Sequence, residues 1–153
     1  MTTCENKIEP VSDFRVFFTP STYCEDNIIN EINKAAKVEA VVYSISNTRI
    51  VDSLIKAYQR GAQIRIITDR TQAKGKGSLV ERLKSSGIPV VVNKKTKIEH
   101  NKWAIFDDKY VEAGSYNWTE NATKYNSESC MFFTPTGQEF NQRFEYLWNL
   151  YQK

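Results

Sequence analysis

The chain has 153 residues, 41% of them hydrophobic and 25% charged. That size suits one domain, and the composition excludes a disordered or membrane-spanning chain. A single histidine, His100, excludes a two-histidine metal motif or a zinc finger within one chain, and any two-imidazole site that two chains do not share.

The formal net charge is +3. Between residues 70 and 102, nine Lys or Arg face two acids, leaving about +7 there and about −4 on the remainder. One basic region on an acidic body suits a polyanionic partner. The competing reading is a solvated helix face beside lysine-rich loops. Cys4, Cys24 and Cys130 form no CxxC spacing, and an odd count does not suit a fully bonded secreted domain. A Cys4–Cys24 pair in an oxidising compartment stays open. With His100 the cysteines have no metal-ligand spacing. No signal-peptide core follows Met1, and no apolar run reaches the ~18 residues of a membrane span. The chain reads as soluble and cytoplasmic as it stands, and as periplasmic or secreted if a leader has been removed.

In chain order, residues 14–18 read as a strand ended by Thr19-Pro20. Residues 27–37 follow a helical period, with Ile28, Ile29, Ile32, Ala35 and Ala36 on one side. A strand over 38–45 leads to Ser46 or Asn47, either of which caps a helix that carries Ile50, Leu54 and Ala57 and stops at Gly61. Another strand spans 63–69. A loop over 70–77, a helix over 78–86 and a short strand over 90–92 follow. This alternation predicts an α/β fold: a mixed, mostly parallel sheet with helices on both faces. Near His100 the pattern changes. Residues 102–106 and 110–113 read as a hairpin turning at Asp107-Asp108-Lys109. A strand over 127–133 and a closing helix over 135–151 complete the chain, the helix burying Phe140, Phe144, Leu147, Trp148 and Tyr151. No linker, repeat or low-complexity tract divides residues 1–153, which read as one domain.

The stretch with chemical content runs His100-Asn101-Lys102-Trp103-Ala104-Ile105-Phe106-Asp107, then six residues, then Gly114-Ser115-Tyr116-Asn117. His100 and Lys102 lie two apart on a strand and project to one side. Ser115 and Asn117 lie two apart at the end of the paired strand, so the hairpin brings both pairs together. One imidazole, one ammonium, one hydroxyl and one amide suit a tetrahedral phosphate. Alone, a strand histidine is usually a packed or surface residue, and Gly-Ser-x-Asn is usually a turn. Six specified positions together arise by chance at roughly 10⁻⁸ per starting point. Asp107 falls at the far end of its strand, away from the pocket, and reads as a structural turn or ion-pair residue.

The pattern HxKxxxxD, six residues, GSxN resembles the signature of the phospholipase D superfamily at every position. It is most similar to the branch of small bacterial endonucleases with one motif per chain. Phe18-Thr19-Pro20, Ser44-Ile45-Ser46-Asn47, Arg60-Gly61-Ala62-Gln63-Ile64-Arg65-Ile66, Ser86-Gly87-Ile88-Pro89 and Asn126-Ser127-Glu128 extend the resemblance over most of the chain. It implies that His100 attacks phosphorus and forms a phosphohistidine. A second histidine protonates the leaving oxygen and then activates water. Lys102 and Asn117 hold the nonbridging oxygens, and Ser115 holds the phosphate or the lysine. Glu128 accepts a hydrogen bond from the His100 ring and fixes its tautomer. The second histidine comes from another copy across a twofold axis, which makes a homodimer. Glu128 as the acid in a monomer is the alternative. No metal or other cofactor is expected.

For the substrate, Arg70, Lys74, Lys76, Lys94, Lys95 and Lys97 read as a track for a nucleic-acid backbone. Tyr116 and Trp118 are candidate base platforms, whereas Trp103 alternates away from His100 into the core. Single- or double-stranded DNA is expected, with RNA left open, and 153 residues leave no room for a recognition domain. Phospholipid is the alternative substrate. The sequence presents neither an amphipathic membrane helix nor an exposed apolar loop, so no stable membrane association is expected. A phosphate-binding module without turnover is the non-enzymatic alternative, and a pure binder has no need of a nucleophile.

Overall fold

The computed structural model describes residues 10–153. Seven strands form one sheet: β1 (Val11–Phe18), β2 (Lys37–Val42), β3 (Gln63–Thr68), β4 (Val90–Val92), β5 (Lys102–Phe106), β6 (Tyr110–Gly114) and β7 (Ser129–Pro135). Their spatial order is β1-β7-β6-β5-β2-β3-β4. The sheet is mixed, with helices on both faces, as the sequence implied. Parallel pairing is a smaller share than the alternation suggested. Only β2–β3 and β3–β4 are parallel, and the other four pairs are antiparallel. The reason is the chain's path after β4. It returns to the free side of β2 and enters β5 in the opposite direction, and the hairpin then propagates antiparallel pairing out to β1.

On one face lie α1 (Tyr23–Lys34), α2 (Thr48–Gln59), α3 (Val80–Ser85) and a short α4 (Glu120–Lys124). Ile28, Ile32, Ile50, Leu54, Leu83 and Ala122 from these helices pack on Val38, Ala40, Val42, Ala104 and Phe132. On the other face α5 (Glu139–Gln152) buries Phe144, Leu147, Trp148 and Tyr151 against Val41, Ile67, Trp103 and Ile105. Strand β2 is covered on both sides, which explains its nearly continuous apolar run. Arg65 helps to dock α5: its guanidinium pairs with Glu39 and Glu145 and lies 4.9 Å from the Phe144 ring centre.

Local signals explain the limits of α2 and the start of α4. Asn47 caps α2, its Oδ1 accepting from Ile50 N at 3.0 Å. Gly61 follows α2 at φ +103°, a conformation that costs glycine little. Helix α4 escaped the sequence reading because it spans only five residues. Its signal was Thr119, whose hydroxyl accepts from Ala122 N at 3.0 Å.

Cys24 on α1 is bonded to Cys130 on β7, across 106 residues of sequence. This replaces the Cys4–Cys24 alternative; Cys4 lies outside the described residues. Sequence spacing could not reveal a partner that only the fold brings near.

Glu112, in the middle of β6, is fully buried, and neither carboxyl oxygen has a partner. Burial raises its carboxyl well above the ordinary value of 4.5. The folded state therefore binds a proton that the unfolded state releases above that value, and stability falls as pH rises. Glu112→Gln is expected to stabilise the protein by at least about 1 kcal/mol at pH 7. The gain should vanish below about pH 4, as measured by urea unfolding across pH. A gain independent of pH would contradict a neutral buried acid.

Candidate active site

Register gathers His100, Lys102, Ser115 and Asn117 at one edge of the sheet. Val42, at the end of β2, lies opposite Lys102 at the start of antiparallel β5. Gly114, at the end of β6, lies opposite Cys130 near the start of β7. Phe18, at the end of β1, lies opposite Ser129. The ends of β1, β2, β3 and β6 therefore share an edge with the starts of β5 and β7.

His100 is exposed at this edge, and Lys102 is half-buried. The Lys102 ammonium lies 3.0 Å from His100 Nδ1 and 3.3 Å from Nε2, and it donates to the His100 carbonyl at 2.8 Å. The tautomer of the ring decides which of the two nitrogens can accept from the ammonium. Burial lowers the Lys102 pKa from 10.5, and the Glu128 charge opposes that shift. Glu128 makes no hydrogen bond to the His100 ring of its own chain, contrary to the expectation. Its Oε2 accepts from Asn126 Nδ2 at 3.2 Å, which satisfies it locally.

Asn117 Oδ1 accepts from Ser44 N at 3.2 Å. Strand β5 lies between β6 and β2, so this bond carries Asn117 across the start of β5. Among the described residues the Asn117 amide nitrogen has no hydrogen-bond partner, so both its donors are open. Ser115 Oγ accepts from Ser129 N at 3.1 Å, which leaves its hydroxyl proton free to point outward. Thr19 fixes the Glu128 backbone from the neighbouring strand end. Its hydroxyl accepts from Glu128 N at 2.9 Å, and its amide donates to Glu128 O at 3.0 Å. Asp107 lies at the opposite end of β5. Its Oδ1 accepts from Ala36 N at 2.8 Å and from Lys37 N at 3.0 Å, tying the hairpin turn to the start of β2.

Buried polar groups that the sequence did not single out hold the segment before His100. Asp69 Oδ1 accepts from Glu99 N at 3.0 Å. Glu99 accepts from Asn101 Nδ2 and, on its other oxygen, from the Tyr151 hydroxyl, both at 2.6 Å. Asn93 Oδ1 accepts from Arg70 N at 2.8 Å. These bonds join the loop after β3 to the loop before β5. Asp69 follows an apolar strand directly, the one sequence signal available for it.

The two joined loops carry Arg70, Lys74, Lys76, Lys94, Lys95 and Lys97, all exposed. None of the six has an ion-pair partner among the described residues. Arg82 and Lys84, in the same basic stretch, pair with Asp52 and Glu81 on the helical side. The free cations are therefore sorted onto the edge that carries His100.

Two sequence expectations fail here. Tyr116 and Trp118 are fully buried and offer no ring face to a base. The Tyr116 hydroxyl bonds Thr123 Oγ1 at 2.6 Å, and the Trp118 carbonyl accepts from Ser46 N and Asn47 N. Both residues instead anchor the loop that presents Asn117. Exposed apolar loop residues also exist, against expectation: Ile98 is 50% exposed and Tyr125 is 74% exposed. Among the described residues, no helix is long and apolar enough to cross a membrane. No group of three or more His, Cys, Asp or Glu among them is placed to hold a metal ion.

Residues 28–148 match the family described as cardiolipin synthase, PLD-like domain, and the chain belongs to the phospholipase D superfamily. It is 39% identical over 113 residues to a phospholipase D of Rickettsia conorii, a match covering 73% of this chain and 56% of that protein. It is 31% identical over 117 residues to a mitochondrial cardiolipin hydrolase of Chlamydomonas reinhardtii, covering 75% and 52%. The chain thus spans about half the length of these curated relatives. Among solved structures, Nuc from Salmonella typhimurium, a phospholipase D family member, aligns with a TM-score of 0.84 at 26% identity. That alignment covers 90% of this chain and 95% of Nuc.

Gly114 is required by close approach. A Cβ there would stand 2.2 Å from Ser129 O. Gly114→Ala should force β6 and β7 apart beside Ser115 and Glu128. It is expected to cost about 1–3 kcal/mol of stability and at least about tenfold in activity. Denaturant unfolding and phosphodiester hydrolysis measure the two effects. Wild-type values in both would contradict the packing argument.

Proposed function

We propose that the chain is a metal-independent phosphodiesterase that hydrolyses DNA without sequence specificity through a phosphohistidine, with one active site shared by two copies. The observation that carries the reading is the Lys102 ammonium against the His100 ring, beside an Asn117 amide whose nitrogen has no partner among the described residues. His100 attacks phosphorus, and the bond to the leaving oxygen breaks. Lys102 and Asn117 take the nonbridging oxygens, where charge develops in the transition state. Ser115 offers a further hydroxyl donor. The leaving oxygen needs a proton and the intermediate needs an activated water, which is work for a second imidazole. The chain has one, so a second copy of His100 supplies it across a twofold axis. The Glu128 charge acts on Lys102, and in the dimer its carboxylate keeps acceptor capacity beyond the Asn126 bond to orient a ring. The six loop cations, without ion-pair partners among the described residues, give a sequence-independent track for a phosphate backbone.

A phospholipid substrate is the second reading. The names of the Rickettsia and Chlamydomonas relatives favour it, as do exposed Ile98 and Tyr125 beside the segments bearing His100 and Glu128. Incubation of plasmid and single-stranded DNA with the protein in excess EDTA tests the first reading, with His100→Ala as control. Cleavage by the wild type alone is expected, and sedimentation near twice 17.7 kDa should accompany it. Loss of cleavage in EDTA would contradict the metal-free scheme. Headgroup release from cardiolipin vesicles without DNA nicking would select the second reading.

A further inference from the structure

Within one chain, few groups hold the His100 ring in place. His100 is exposed, and an exposed imidazole samples several rotamers. A nucleophile gains most of its rate from being held at the attacking geometry. Glu128, the carboxylate expected to orient the ring, makes no bond to it in the chain. Lys102 touches the ring, but a bound phosphate competes for the same ammonium. One further side chain packs on the imidazole. The Tyr43 ring centre lies 4.8 Å from the His100 ring centre, the planes inclined at 56°. The same Tyr43 ring faces the Lys102 ammonium at 5.4 Å.

We infer that Tyr43 is a positioning residue: its ring is a common floor that orients the His100 imidazole and holds the Lys102 ammonium beside it. The inference rests on the phosphodiesterase reading of this site. Tyr43 follows the last residue of β2, and its amide donates to the Asn101 carbonyl at 2.9 Å. Its backbone is thus tied to the residue between His100 and Lys102. Its hydroxyl accepts from Gln72 Nε2 at 3.0 Å, in the 3-10 turn Gln72–Lys74 of the first basic loop. The ring is therefore pinned at both ends and half-buried. An aromatic face attracts an ammonium or an imidazolium through its quadrupole, and a phenyl ring keeps that property where an aliphatic chain does not. The role belongs to the ring, and the hydroxyl only fixes its tilt.

The test compares Tyr43→Phe and Tyr43→Leu on bis(4-nitrophenyl) phosphate, a small diester that needs no basic track. It also uses the lone histidine as a spectroscopic probe, since one imidazole gives an unambiguous signal. Wild type and Tyr43→Phe are expected to show a nuclear Overhauser contact between the residue-43 ring and the His100 ring. Both should also show ring-current-shifted imidazole protons. Tyr43→Phe should keep kcat within about threefold, whereas Tyr43→Leu should lose at least about tenfold in kcat with KM within about twofold. The imidazole protons of Tyr43→Leu should move to their unshifted positions. Full kcat in a folded Tyr43→Leu would overturn the inference. An equal loss in Tyr43→Phe would overturn it too, by moving the role to the hydroxyl. Absence of the Overhauser contact in the wild type overturns it without any variant, and so decides the matter if Tyr43→Leu fails to fold. If the wild type cleaves neither the diester nor DNA, the functional reading fails, and the contact still reports on the ring's placement.

Discussion

The direction of β5 governs the rest of this structure. Because β5 runs antiparallel to β2, Lys102 enters the sheet opposite Val42, where β2 ends. A parallel β5 would carry His100 and Lys102 to the other edge, beside Asp107's present partners. The antiparallel choice places the signature histidine and lysine beside Tyr43 and Ser44. It also lets the following hairpin return Ser115 and Asn117 to the same edge. Burial on both faces secures that choice: Ala104 and Phe106 pack under the helical layer, while Trp103 and Ile105 pack under α5. A slip of one residue would exchange these sets and expose the wrong one.

The electrostatics follow from this edge. Helix-borne cations in the basic stretch are paired with nearby acids, and among the described residues the loop-borne cations are not. Lys102 differs from both groups because partial burial removes some of its water and lowers its pKa. The loops do not float. Asp69 and Asn93 tie them together through backbone amides, and Glu99 reaches α5 through Tyr151. The helix that closes the second face of the sheet thus also braces the residue before His100.

Much of the fold was legible because periodicity reports burial. The apolar steps of α2 and α5, the run in β2 and the hairpin at Asp107-Asp108 were all visible in the chain. Sheet direction was less legible, since β-α alternation is blind to a strand that joins the free side of β2. Tyr116 and Trp118 were misplaced because sequence neighbours of a polar loop residue can face either way, and these two face the core. Cys130 gave no sign of its partner 106 residues away. For the site, the signature spacing named His100, Lys102, Ser115 and Asn117. Tyr43, Asp69, Glu99 and Thr19 were invisible as site residues, since each acts through a contact that only the sheet edge creates. Glu128 shows the reverse: its position was legible, but its partner within the chain is Asn126.

The central claim is that two copies of His100 make one active site. Wild-type and His100→Ala chains, co-assembled at random in varied ratios, test it most directly. If each site needs both imidazoles, DNA cleavage per total protein falls as the square of the wild-type fraction. A linear fall would mean that one chain carries a complete site, and would contradict the account.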